Sequence, residues 1–209
     1  MIKKFIPLII ILIGFIVAFL SSPYLPSQLA SHWDARGLVN GYSSKLFGLY
    51  FIPVLSLCFY FLFLFLPSID PYKNNFKQFV PHYNNFVTVI LGFFFYIHSL
   101  TIFWNLGYQF NMIQLLSPAF FGLFYFTATL IRVAKRNWFV GIRTPWTMSS
   151  DRVWRETHSL GGQLFKYVAF TCLVGLFYPD LAIFFLIIPV LGITLFLFIY
   201  SYVLYLRYN

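Results

Sequence analysis

Uncharged, mainly apolar stretches recur at residues 5–20, 46–66, 86–107, 112–131, 163 or 167–179, and 181–206, separated by short polar gaps. A spanning helix needs roughly 20 such residues, so the pattern predicts six transmembrane helices. Lys166 interrupts the start of the fifth; a lysine near a helix end can carry its ammonium to the interface while its stem stays in lipid. Tyr178-Pro179-Asp180 predicts a tight turn before the sixth. Lys3 and Lys4 ahead of an apolar run also fit a signal peptide, but Ala18-Phe19-Leu20 puts leucine where cleavage wants a small residue, so an uncleaved helix is expected. The predicted fold class is all-α, a polytopic six-helix transmembrane bundle with a folded outer loop and an interfacial cytoplasmic helix. It forms a single membrane domain over 1–209. An N-terminal helical hairpin over 1–66 carries the outer loop 21–45, and a four-helix part over 79–209 carries the cytoplasmic loop 132–162.

Composition supports lipid as the main solvent: 60% of residues are hydrophobic and 9% charged, against about 25% charged in soluble domains. A formal charge of +9 raises nucleic acid as a partner, but the basic residues lie in the gaps between apolar runs. With the N-terminus inside and six alternating spans, Arg36 and Lys45 alone of the fourteen lysines and arginines fall outside. That asymmetry predicts a multi-pass cell-membrane protein with both termini cytoplasmic, and it explains the charge without direct nucleic-acid binding. Membrane lipids are then the surrounding partner. Cys58 and Cys172 fall in predicted helices, so no disulfide framework or lipid-attachment cysteine is indicated.

In the outer island, Pro23 and Pro26 end the first helix. Asn40-Gly41, between Leu38-Val39 and Tyr42, predicts a two-residue turn with positive φ at both positions. His32 and Asp34, two apart, point to one side of an extended segment. One reading has Asp34 orient the His32 ring, Trp33 sit among headgroups and Lys45 anchor the second helix. The other makes the pair a recognition or metal site, joined by His98, which lies roughly 13 Å below the outer end of helix three. His32, Asp34 and His98 would hold a divalent metal such as zinc; they form no regular ligand motif, and no cofactor is the main expectation.

The inner island, 137–162, is built differently. Gly141 is free to take a backbone conformation closed to other residues, and Pro145 forces Thr144 to be extended, shaping a loop from which Arg143 projects. A helix is expected to begin near Ser149, Ser150 or Asp151. Within it Asp151 and Arg155 form the favoured i, i+4 pair and Arg152 and Glu156 the reversed one. Trp154, His158, Gly161 and Phe165 recur at helical spacing, a stripe that runs directly into the fifth helix and is expected to lie at the membrane surface. Trp138, Trp146 and Trp154 are three of the five tryptophans. Such a surface fits both a membrane interface and a protein-docking face.

These two islands carry a resemblance. Asn137, Gly141-Ile142-Arg143-Thr144-Pro145-Trp146-Thr147, Ser149, Val153-Trp154, Thr157-His158 and Gly161-Gly162 look like the signature loop of the SdpI family of bacterial membrane immunity and signalling proteins. Pro26, His32-Trp33, Gly37, Gly41-Tyr42 and Ser44-Lys45 are similar to a short domain of unknown function that often precedes it, with Asn40 where an aspartate is common. The resemblance implies immunity to a secreted antibacterial peptide, with a cytoplasmic transcriptional repressor recruited to the membrane. On that reading His32, Trp33, Asp34, Gly37, Asn40, Gly41, Tyr42 and Lys45 are expected to meet the ligand outside. Asn137, Gly141, Arg143, Thr144, Pro145, Trp146, Trp154, Thr157, His158 and Gly161 are expected to meet the partner inside.

Two other classes remain open. A membrane-embedded metallopeptidase would use His32, Asp34 and His98 to activate water, although no HExxH motif is present. A small transporter would use cavities opened at Pro53, Pro118 or Pro189, although no buried acid offers an ion relay.

Overall fold

A computed structural model describes residues 5–208 of the chain; Lys3 and Lys4, which enter the charge asymmetry, lie outside them. Six helical stretches are long and apolar enough to cross a membrane, at Ile6–Tyr24, Lys45–Ile69, Val80–Asn105, Met112–Val133, Asp151–Phe177 and Pro179–Tyr208. The chain is an all-α, multi-pass membrane protein. Its elements are α1 (Ile6–Ser21), β1 (Gln28–Trp33), β2 (Val39–Ser44), α2 (Lys45–Ile69), α3 (Lys73–Lys77) and α4 (Val80–Asn105). They continue with α5 (Met112–Val133), α6 (Pro145–Ser149), α7 (Asp151–Cys172), α8 (Val174–Phe177) and α9 (Ala182–Tyr208). Pro53, Pro118 and Pro189 lie within continuous helices rather than breaking them.

Helices α1, α2 and α4 pack together, α5 joins them through α4, and α7 lies between α5 and α9. A core of Tyr60, Phe76, Phe79, Tyr83, Leu91 and Trp154 fills one end, and a second cluster of Ala18, Leu25, Leu29, Leu49 and Ile102 lies beneath the strands. Phe19, Leu191 and Leu195 are among the large apolar side chains left outside. In lipid such exposure carries no penalty, and helices associate through close packing instead.

Two expectations about elements change. The segment expected to lie on the membrane surface is the first half of α7, one helix running from Asp151 to Cys172. Gly162 explains why: a Cβ there would stand 2.9 Å from the Ala128 carbonyl, so glycine lets α7 close on α5 and bury this stripe. The short α6 is what remains of a separate interfacial helix. Asn40-Gly41 is not the turn of the strand pair, because both residues belong to β2 and neither has positive φ. The chain reverses at Asp34–Leu38, where Gly37 (φ 79°) donates its amide to Asp34 and the Asp34 amide bonds the Leu38 carbonyl at 2.8 Å.

Candidate functional site

At the hairpin end, β1 and β2 pair antiparallel, with irregular register on either side of His32. Leu29 and Ala30 are both buried, which simple alternation forbids and which α4 explains. The Asn105 side chain accepts from the Ala30 amide at 2.8 Å and donates to the Ala30 carbonyl at 3.0 Å, replacing a third strand. A second amide, Asn111, caps α5 by accepting from Gln114 and donates to the Arg36 carbonyl at 2.8 Å. Lys45 does anchor α2, donating through Nζ to the Ser22 carbonyl at the end of the first span.

His32, Trp33, Asn40, Gly41 and Tyr42 share this hairpin, with Gly37 buried in its turn and Lys45 at its foot. The His32 ring is paired with Asn40, not Asp34. Asp34 instead accepts from the amides of Leu38 and Arg36 and from the Arg36 guanidinium. The Leu38 amide, then the Arg36 amide and guanidinium, hold the Asp34 carboxyl below its ordinary 3.8 despite some desolvation. His98 is buried within α4, beside α1 and Pro53, and neither ring nitrogen has a hydrogen-bond partner of good geometry. The expected set of His32, Asp34 and His98 is therefore not assembled, and no group of three or more metal-ligating side chains occurs among the described residues. Between hairpin and bundle lies a cleft of about 310 Å³ walled by His32, Trp33, Phe47, Phe51, Ile97 and Met112. Trp33 meets Trp104 edge to face there, and its indole N–H is buried without a partner.

At the opposite end of α5 the loop after Val133 folds around Asn137, which is wholly buried. Its Nδ2 donates to the carbonyls of Lys135 and Val140, and its Oδ1 accepts from the amides of Phe139 and Val140, all within 2.8 Å. His158 accepts the Ile142 amide at Nε2 and donates from Nδ1 to the Trp154 carbonyl, which fixes its tautomer. Its ring stacks on Trp154, 3.8 Å between centroids, and the Trp154 indole donates to the Ala134 carbonyl at 2.8 Å. Gly141 has φ of 121° and faces His158 so closely that a Cβ would collide with the ring. Thr144 and Thr147 form a reciprocal cap on α6, and Thr144 also bonds Ser201 of α9.

The residues expected to meet a partner thus divide. Asn137, Thr144, Trp154, Thr157, His158 and Gly161 are buried and shape the loop, so they are corrected from contact residues to internal supports. Gly141 lies behind the His158 ring, and Trp146 packs on Phe198 and Tyr202. Arg143 and Pro145 are exposed, as is Trp138, 49% accessible. Arg143 donates to the Trp138 carbonyl. Asp151 pairs with Arg136 at 3.0 Å rather than with Arg155, and the reversed Arg152–Glu156 pair is the one that forms, at 3.3 Å.

Sequence reasoning missed the residues that hold the loop from outside it. Asp70, fully buried, accepts the Tyr72 amide at 2.7 Å and the Trp138 amide at 2.9 Å. Asn75 donates to the Arg136 carbonyl, and Arg136 in turn donates to Met148 and lies over Tyr72. The available signal was scarcity: with five acidic residues in the chain, each is a candidate structural acceptor. Beneath the loop is a cavity of about 490 Å³, walled by α2, α4, α5, α7, α9 and residues 139–144.

Comparison with known proteins places this geometry. The model of the SdpI/YfhL protein family matches residues 133–202, and a domain of unknown function, DUF1648, matches residues 9–57. The chain is 28% identical over 171 residues to the immunity protein SdpI of Bacillus subtilis, covering 81% of this chain and 77% of that one. No solved structure matches. The first matched segment, similar to the SdpI/YfhL protein family, holds the Asn137 loop, α7 and most of α9, and the second holds most of α1, the hairpin and half of α2.

Proposed function

We propose that this protein is a membrane immunity protein that protects its cell from a secreted antibacterial peptide, and that it signals by recruiting a cytoplasmic repressor. The likeness to an immunity protein over most of both chains carries this reading. The hairpin and its cleft face outward and engage the peptide; the loop around Asn137 faces the cytoplasm, as the basic residues prefer. Arg143, Pro145 and Trp138 are exposed on that loop and offer the repressor its contacts. Helix α5 supports communication, since Asn111 at its start bonds the hairpin and Ala134 at its end accepts Trp154. A peptide acts through it only by binding two arrangements of the bundle unequally.

The test expresses the protein in a bacterium killed by such a peptide and counts survivors. Wild type is expected to protect, Trp33→Ala to lose most protection, and Arg143→Ala to protect normally while losing repressor recruitment in a reporter strain. Absence of protection against any killing-factor peptide overturns immunity. Recruitment unchanged by Arg143→Ala overturns the assignment of the docking face.

A further inference from the structure

The cavity beneath the loop exists because α9 leans on α7 and leaves a gap toward α2 and α4. At about 490 Å³ it falls within the range of ligand sites, roughly 300–1,000 Å³. Its wall is mainly apolar, with Phe63, Leu130, Ile142, Phe165 and Leu197 among its residues. Water finds few hydrogen-bond partners on such a surface. One cation breaks the pattern. Arg143 belongs to the cavity wall and is also exposed, and among the described residues it forms no ion pair. Its one hydrogen bond goes to the neutral Trp138 carbonyl, leaving most of its five N–H donors available to an anion. An apolar slot between spanning helices with an uncompensated guanidinium at its edge matches an amphiphile with an apolar tail and an anionic head. Basic pockets between helices hold anionic lipid headgroups by this chemistry.

We propose that this cavity holds an acyl chain of an anionic phospholipid whose phosphate rests on the Arg143 guanidinium. The site requires only the bilayer around the protein, not the peptide, although it shares Arg143 with the proposed docking face; lipid retention and repressor recruitment are therefore read separately. A bound chain fills the space under residues 139–144 and makes the loop's shape depend on the lipid at that end of the bundle.

Native mass spectrometry of protein taken from mixed phosphatidylglycerol and phosphatidylcholine vesicles tests this. Wild type is expected to retain one phosphatidylglycerol in preference to phosphatidylcholine. Arg143→Gln is expected to lower that retention about five-fold, the weight of one arginine at an anionic surface. Thr194→Trp, on an exposed position of the cavity wall, fills the space from the lipid side and is expected to lower retention of both lipids. Equal retention by wild type and both variants overturns the proposal, as does retention of phosphatidylcholine as strong as that of phosphatidylglycerol.

Discussion

Asn137 has no exposed surface, and its amide makes four hydrogen bonds with the backbone of residues 135–140. Replacing it by alanine strands buried backbone groups, each costing about 1–3 kcal/mol. The variant Asn137→Ala is therefore expected to lower the melting temperature in detergent more than any exposed loop substitution such as Pro145→Ala. Gly141→Ala is expected to destabilise by about 1–3 kcal/mol, because φ of 121° disfavours a side chain and the new methyl meets His158. Asp34 gives a pH dependence of defined sign. Its folded carboxyl lies below 3.8, so the turn's stabilisation is complete above that value and fades as pH falls through the folded value. Protease resistance of the hairpin is expected to be level near neutrality and to drop only in strong acid, and Asp34→Asn to abolish that drop. Asn137, Gly141 and His158 were visible in the sequence as notable residues. Their roles as internal supports were not, because a short polar residue in a loop reads alike whether it faces a partner or its own backbone.

The helices themselves were legible, since hydropathy over twenty residues depends on composition rather than on partners. The start of α7 was not. Asp151, Arg152, Arg155 and Glu156 gave it the polarity of a surface segment, while the close approach at Gly162 that buries its other face is a tertiary fact. The hairpin turn was misplaced for a related reason. Asn-Gly is the strong local signal, but the Asp34 carboxylate collects two amides and closes the chain earlier, leaving Asn40 to the His32 ring. Helix α5 offers a separable test of its two duties. Asn111→Asp keeps the oxygen that caps Gln114 and loses the donor to the Arg36 carbonyl. It is expected to leave the melting temperature nearly unchanged yet speed proteolysis at Arg36, whereas Asn111→Ala also forfeits the cap, about 1 kcal/mol. Equal proteolysis in the wild type and Asn111→Asp would refute the tether.

Across the whole molecule, α5 spans 22 residues, roughly 33 Å at 1.5 Å per residue, with the hairpin at one end and the Asn137 loop at the other. After Cys58 and Cys172 are replaced by serine, single cysteines at Leu38 and Arg155 are expected to react from opposite sides of the membrane, Leu38 from outside. Labelling of both from one side would undo the receptor-like arrangement. The two matched segments, residues 9–57 and 133–202, leave Asp70 and Asn75 in the unmatched stretch between them, yet those two side chains hold the Trp138 amide and the Arg136 carbonyl. The stretch is consequently no neutral spacer, and the halves are not interchangeable parts. A gene recombined from two relatives inherits a working loop only if the donor of the second segment and the owner of that linker agree about one carboxylate.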